Sequence, residues 1–108
     1  MEHDSRKIRR FAVQLPCTFT TGGIKGDGTV LNLSAQGCAM MTECAQPVSS
    51  YLSLHIDLPD GSGPIDIELA GVRWVSEQRC GLEFIRISAE MLMQLRSFVL
   101  VIENTPSS

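Results

Sequence analysis

Hydrophobic and polar residues alternate along much of the chain, which is the pattern of half-buried β-strands. The clearest case is residues 11–20, FAVQLPCTFT, in which every odd-numbered residue is apolar. Pro16 lies within this run and indicates a sheet edge or a bulge, because proline cannot donate to a strand ladder. Residues 51–58, YLSLHIDL, alternate in the same way. Both segments are therefore predicted to be strands with one buried face.

Four further segments are predicted to be short strands, and turn sequences such as TTGG and PDGSGP separate them. In one of them, IDIELAGVRWV, the alternation changes phase at Ala70-Gly71, which predicts a bulge there and places Val72 and Trp74 on one common face. Six short antiparallel strands in a small chain favour a closed barrel or a sandwich. The four segments are residues 28–34, 37–43, 65–75 and 80–87.

The end of the chain has a helical pattern instead. Ser88 is a suitable N-cap, and Glu90 follows in the first turn, where a negative charge is favourable. One face of the predicted helix is apolar, but further apolar residues leave little of its surface polar. Two interpretations stay open: the helix packs wholly against the strands, or it also contacts a second subunit in a homodimer. The face residues are Leu92, Leu95, Val99 and Ile102.

Length and composition predict one folded domain. The chain has 108 residues, of which 44% are hydrophobic and 19% charged, a profile typical of globular proteins. We expect a flexible basic leader at residues 1–10, one domain at 11–104 and a disordered tail at 105–108. No apolar run approaches the roughly 20 residues that cross a bilayer, and the first residues lack a signal-peptide pattern. The prediction is a cytoplasmic protein without membrane insertion.

Neither a catalytic group nor a metal site is predicted. Cys17, Cys38, Cys44 and Cys80 show no C-x-x-C spacing, and the two histidines lie far apart in the sequence. We expect reduced thiols, several of them packed as small apolar residues. No serine–histidine–aspartate grouping or phosphate-binding glycine loop is recognisable. These absences argue against an enzyme and against a resident cofactor.

Charge is distributed unevenly. The formal net charge is −3, but residues 1–10 carry four cations and two anions, so the other 98 residues carry −5. The cations cluster in RKIRR, residues 6–10. An acidic body with a short basic leader is poorly suited to general nucleic-acid binding, yet it suits a receptor for one small anion. A solvated basic tail is the alternative interpretation.

Two motifs could form such a receptor site. In Arg6-x-x-x-Arg10, each guanidinium offers a rigid fork of donors that fits a phosphate or the O6 and N7 edge of guanine. In NLSAQG, Asn32 lies at a strand end and can both donate to and accept from a base edge. Ser34 and Gly37 can open and close a turn between strands, and this motif taken alone is most simply a turn.

Taken together, the two motifs and their spacing resemble the PilZ domain family, the bacterial receptors for cyclic di-GMP. RxxxR is followed by about twenty residues and then by NxSxxG, and GVRWV and CGLEFI resemble the last two strands of that family. The resemblance covers nearly the whole chain. It implies a mainly β fold, a six-stranded antiparallel barrel closed by a C-terminal helix. It also implies cyclic di-GMP as the ligand.

The resemblance further implies a role for each motif residue. Arg6 and Arg10 would contact guanine and phosphate from a flexible leader that folds over the ligand. Asn32 would read a guanine edge, Ser34 would add a hydrogen bond, and Gly37 would keep the turn open to the ligand.

Two residues outside the motifs also receive predictions. Arg9 is a candidate for an additional phosphate contact. Trp74 is predicted to lie in the core or at the barrel rim rather than to stack on a base.

The function implied is that of an effector. Ligand binding would order the leader and change the surface seen by an unidentified downstream protein, in a pathway such as motility or biofilm formation. Two alternatives remain: a module of the same fold that binds no nucleotide, and a single-stranded nucleic-acid binder. The last normally uses aromatic platforms, and aromatic residues make up only 6% of this chain.

Overall fold

The computed structural model describes residues 11–59 and 61–104, and these form six strands and one helix. Every neighbouring pair of strands is antiparallel, and the order β1-β2-β3-β6-β5-β4 closes on itself through pairing of β1 with β4. The predicted six-stranded antiparallel barrel with a C-terminal helix is confirmed, and the sandwich is excluded. The elements are β1 (Phe11–Thr21), β2 (Ile24–Leu33), β3 (Gly37–Met41), β4 (Tyr51–Ile56), β5 (Ile65–Ser76), β6 (Arg79–Arg86) and α1 (Ala89–Asn104).

The predicted segments match the strands, but several ends differ. β2 starts at Ile24, four residues before the predicted start, because Gly22 and Gly23 form a two-residue turn with φ of 54° and 81°. Glycine adopts positive φ at both positions without steric cost, so the hairpin can close tightly. β3 ends at Met41 and β4 at Ile56, two residues before their predicted ends.

Inward-facing residues of all six strands fill the barrel, and α1 closes it with Leu95 and Phe98. Three of the four cysteines, Cys17, Cys38 and Cys80, belong to this core without forming disulfides, and Cys44 is exposed. Burial raises the pKa of the Cys17 thiol to about 12, with nearby Cys80 adding to the effect. The Cys17 thiol therefore stays protonated at neutral pH. The buried cysteines pack as small apolar groups, as predicted.

Pro16 lies just beyond the end of the pairing between β1 and β4. The β1–β4 ladder runs from Cys17 to Thr20, and the Asp57 N–H donates to the Pro16 carbonyl at 3.0 Å. Before Pro16, β1 pairs only with β2. The missing N–H of proline thus falls at a local edge of an otherwise closed sheet, where it breaks no ladder.

Irregular register in β5 changes which side chains face outward. One shift lies between Leu69 and Ala70, next to the predicted phase change, and a second lies between Val72 and Trp74. As a result Val72 is 1% exposed whereas Trp74 is 43% exposed. The prediction that Val72 and Trp74 share a face is wrong, because the second irregularity turns Trp74 to the outer wall.

Helix α1 is capped as predicted: the Ser88 Oγ accepts a hydrogen bond from the Met91 N–H at 3.1 Å. Gln94 fixes the helix to the loop between β4 and β5, since its side-chain amide donates to the Ser62 carbonyl at 2.7 Å.

Met93 and Leu100 of α1 remain exposed on the outer side. A homodimer through this helix stays a prediction. In the described part of the chain, no helix has the length and apolar character needed to cross a bilayer.

Candidate functional site

The NxSxxG motif forms the connection between β2 and β3, and Ser34 holds it together. The Ser34 N–H donates to the Gly37 carbonyl at 2.9 Å, which closes the turn. The Ser34 hydroxyl accepts from the N–H groups of Gln36 at 3.1 Å and Gly37 at 3.2 Å. It also donates to the Gly37 carbonyl at 3.3 Å, and the residue is 2% exposed. Ser34 therefore sets the shape of the turn from within.

Asn32 is fixed on the outer side of β2. Its Oδ1 accepts the N–H of Ala39 on β3 at 3.1 Å, beside the register irregularity between Val30 and Asn32. This bond orients the side-chain amide. One of the two acceptor positions of the Asn32 oxygen is thereby used within the barrel wall.

A row of small residues crosses the wall next to Asn32. Asn32 pairs with Ala39, Ala39 with Gly81, and Gly81 with Trp74. The indole of Trp74 lies against Gly81, where a Cβ atom would overlap the ring. Neighbouring strands are spaced by about 4.8 Å, so Asn32 and Gly81 are about 10 Å apart. The surface between the amide and the indole carries little side-chain bulk.

An ion pair forms the next row of this wall. Glu83 pairs with Gly37 on β3 and with Gly71 on β5, so both cross-strand neighbours are glycines. The Arg73 Nε–H donates to the Glu83 Oε1 at 2.5 Å, and Arg73 Nη2 contacts the same oxygen. Both side chains are about half exposed, so the pair contributes little to stability, about 0–1 kcal/mol.

A cavity of about 370 Å³ opens where these features meet. It joins the hairpin turn to the outward side chains of β5 and β6, and thus brings a predicted motif next to residues that the sequence did not single out. Its lining includes Ser34, Gln36, Arg73, Trp74, Gly81 and Glu83.

The leader joins the barrel beside this cavity. Phe11, the first described residue, pairs with Leu33, and Ala12 pairs with Asn32. The chain therefore enters β1 opposite the motif on β2. Arg6 is five residues from Phe11, and five extended residues span at most about 18 Å. Arg6, Arg9 and Arg10 themselves lie outside the described residues.

Concavities of similar size lie elsewhere on the barrel: one of about 440 Å³ near Glu77, and two more. One, of about 410 Å³, is on the outer wall of β1, β4 and β5 near Thr18, His55 and Asp66. The other, of about 480 Å³, lies near Asp27 and Thr42. None of the three contains a motif residue, and no group of three or more metal-binding side chains occurs within residues 11–59 and 61–104. Size alone does not select the site; the motif and the entry of the leader do.

Comparison with known families identifies the family of the chain. The family model described as "PilZ domain" matches residues 4–100, which includes the leader arginines, the hairpin motif and most of α1. The chain belongs to the PilZ domain family. No curated protein matches the chain significantly.

Solved PilZ structures share the fold at low identity. The PilZ domain of Escherichia coli YcgR with c-di-GMP superposes with a TM-score of 0.76 at 15% identity, covering 93% of this chain and 92% of that one. Bacillus subtilis inhibitor of motility, MotI/DgrA, gives 0.75 at 23% identity and covers 91% of this chain and 51% of that one. K. pneumonia MrkH in its apo state gives 0.74 at 17% identity, with coverages of 95% and 52%.

This chain thus spans about half the length of MotI/DgrA and of MrkH. At these identities the superpositions establish the shared fold.

The structure brings together Asn32, Ser34 and Gly37 of the predicted site. Gly37 does not belong to the glycines with positive φ, so its backbone conformation does not require glycine. Trp74 is 43% exposed, which excludes the core, one of the two positions predicted for it, and leaves the barrel rim. Sequence reasoning missed the Arg73–Glu83 pair, because alternation predicts outward polar residues on every strand and gives no signal for which of them meet.

Proposed function

We propose that this PilZ domain is a cyclic di-GMP receptor that passes the second-messenger level to a partner protein. The observation that supports this most directly is the register of β1 on β2: Phe11 opposite Leu33 and Ala12 opposite Asn32. It attaches the RxxxR leader to the barrel at the NxSxxG hairpin. The family membership and the c-di-GMP bound to the YcgR domain support the same ligand.

In the proposed complex, cyclic di-GMP lies on the outer wall beside the hairpin. Arg6 and Arg10 bind phosphate and the O6 and N7 edge of guanine, with Arg9 as an additional phosphate contact. Asn32 contacts a guanine edge from the floor, and Ser34 and Gly37 shape the turn around the ligand. Ala39, which lies between Asn32 and the indole on Gly81, carries only a methyl group and leaves room for a planar base.

The Trp74 indole borders this floor and can pack against a base, which departs from the role predicted for it. The cavity that it lines reaches the hairpin through Gln36. A base inserted there would contact an aromatic face on one side and the polar turn on the other.

The proposed output is a change of shape without chemistry. When the arginines bind the phosphates, the leader takes a fixed position over the hairpin and presents a new surface to a downstream protein. Electrostatic steering by the leader is local, because exposed charges beyond about 8 Å are largely screened at physiological salt. Such a receptor works in the cytoplasm and would serve a process such as motility or biofilm formation.

Isothermal calorimetry with cyclic di-GMP tests this function. We expect one saturable binding event with micromolar or tighter affinity in the wild type. Undetectable binding would support the alternative, a PilZ-like interaction module that binds no nucleotide. An oligonucleotide shift assay at two salt concentrations excludes or supports the single-stranded nucleic-acid binder, since phosphate-driven binding weakens steeply with salt.

A further inference from the structure

Glu83 is the carboxylate of the candidate site. Among the described residues that line the cavity beside the hairpin, no other has a carboxylate side chain. Its cross-strand neighbours, Gly37 and Gly71, have no side chains to cover it. Its side chain is 52% exposed. Glu83 is therefore open to a ligand that enters beside Gly37.

Arg73 holds this carboxylate in place. Both contacts from Arg73, through Nε at 2.5 Å and through Nη2, end on Oε1 of Glu83. This geometry fixes the carboxylate plane and leaves Oε2 unused by Arg73. The guanidinium also balances the negative charge, which lowers the repulsion between Glu83 and a phosphate-bearing ligand.

A carboxylate accepts hydrogen bonds and donates none when ionised. Guanine presents adjacent donors at N1 and N2, whereas adenine presents an acceptor at N1. The Asn32 oxygen already accepts the Ala39 N–H in one of its two acceptor positions. Like the side-chain amide of Gln36 in the cavity lining, it is a neutral acceptor and weaker than a carboxylate. We infer that Glu83 accepts the N1–H and N2–H groups of a guanine base and so selects guanine. Arg73 acts as the positioning residue for that carboxylate.

This inference rests on the proposed function, since it assigns base selection within the same site. It assigns the O6 and N7 acceptors of guanine and its 2-amino donor to different residues. The leader arginines would bind O6, N7 and phosphate, all of which cyclic di-IMP retains. Glu83 would bind the 2-amino group, which the hypoxanthine base of cyclic di-IMP lacks. A ligand that differs only in this group therefore isolates the contribution of Glu83.

The experiment measures the dissociation constants of cyclic di-GMP and cyclic di-IMP by calorimetry for five proteins: wild type, Glu83→Gln, Arg73→Ala, Asn32→Ala and the control Glu68→Gln. Glu68 is an exposed β5 carboxylate that lines the concavity near Thr18, His55 and Asp66, on what we call the far wall. Circular dichroism melting checks that each variant is folded. We expect the half-exposed Glu83 to tolerate glutamine.

We expect the wild type and Glu68→Gln to prefer cyclic di-GMP about tenfold, which equals about 1.4 kcal/mol, the scale of one charged hydrogen bond. Glu83→Gln should bind cyclic di-GMP about tenfold more weakly and lose most of the preference. Arg73→Ala should reduce the preference in part, a change that a purely structural role would not cause.

Three results would overturn the inference. If the wild type binds cyclic di-GMP and Glu83→Gln keeps both its affinity and its preference, Glu83 does not read the base and the proposed function stands. If the preference disappears in Asn32→Ala and persists in Glu83→Gln, Asn32 is the reader. If the wild type binds neither ligand, the proposed function fails and this inference fails with it.

Discussion

The indole ring of Trp74 occupies the space that a side chain at Gly81 would need. The two residues are cross-strand neighbours on β5 and β6, and the register irregularity after Val72 turns the indole outward onto the glycine. An exposed tryptophan is thus held in one position by the absence of a side chain on the adjacent strand. This packing forms one wall of the cavity beside the hairpin.

Gly81→Ala should displace the indole. The added Cβ would overlap the Trp74 ring, so we expect a loss of about 1–3 kcal/mol in the free energy of unfolding, the usual cost of overpacking. Urea unfolding measures this loss. Trp74→Ala removes the overlap, so adding Gly81→Ala to Trp74→Ala should cost much less. An equal cost in both backgrounds would show that the indole does not lie on Gly81.

Ser34→Ala should weaken the hairpin itself. The substitution removes the acceptor for the N–H groups of Gln36 and Gly37 in a nearly inaccessible position. We expect a loss of about 1–3 kcal/mol in unfolding free energy, as for buried groups left without a partner. Ser53→Ala, on the outer wall of β4, provides the control. Unchanged stability in Ser34→Ala would mean that the hydroxyl is not what closes the turn.

Arg6→Ala and Arg10→Ala should each weaken cyclic di-GMP binding by about 1.5–3 kcal/mol, the scale of a lost hydrogen bond to a charged group. The melting temperature without ligand should be nearly unchanged, because the described barrel and α1 already supply a closed core of their own. Arg96→Ala, on the exposed side of α1, serves as the matched control. A large fall in melting temperature for either leader variant would instead assign the leader a structural role.

Stability should fall at alkaline pH because of Cys17. The pKa of its thiol is about 12 in the folded barrel against an ordinary value of 9.0, chiefly because of burial. Between these pH values the unfolded chain loses a proton that the folded protein keeps, so the free energy of unfolding decreases as pH rises through this window. Below about pH 8 this thiol does not change the free energy of unfolding with pH, because it is protonated in both states.

Urea unfolding between pH 8 and pH 10.5 measures that slope. Cys17→Ala should reduce it, and Cys44→Ala should not, since Cys44 is exposed. Part of the slope should persist in Cys17→Ala, because burial also raises the pKa of Cys80. An identical slope in the wild type and in Cys17→Ala would contradict the burial of this thiol.

The strands could be predicted from the sequence because alternation is a local property. Residues 11–20 alternate, and β1 covers them. Closure of the barrel could not be predicted in this way, since it depends on pairing Cys17 with Ile56, 39 positions apart in the sequence. Alternation describes which face is buried and does not identify the neighbouring strand.

The hairpin half of the candidate site was also predictable, because Asn32, Ser34 and Gly37 lie within six residues. The residues that line the cavity on β5 and β6 could not be predicted from the sequence. Trp74 faces outward only because the ladder shifts after Val72. The meeting of Arg73 with Glu83 likewise depends on the register between β5 and β6, which no local pattern encodes.

The most direct test of the central claim is an amide NMR titration of the full chain with cyclic di-GMP. The account predicts saturable shifts for the leader amides, for Asn32 to Gly37 and for the indole N–H of Trp74. It predicts little change at Thr18, His55 and Asp66 on the far wall. Saturable shifts confined to that far wall, or no shifts at millimolar ligand, would contradict a receptor site formed by the leader and the β2–β3 hairpin.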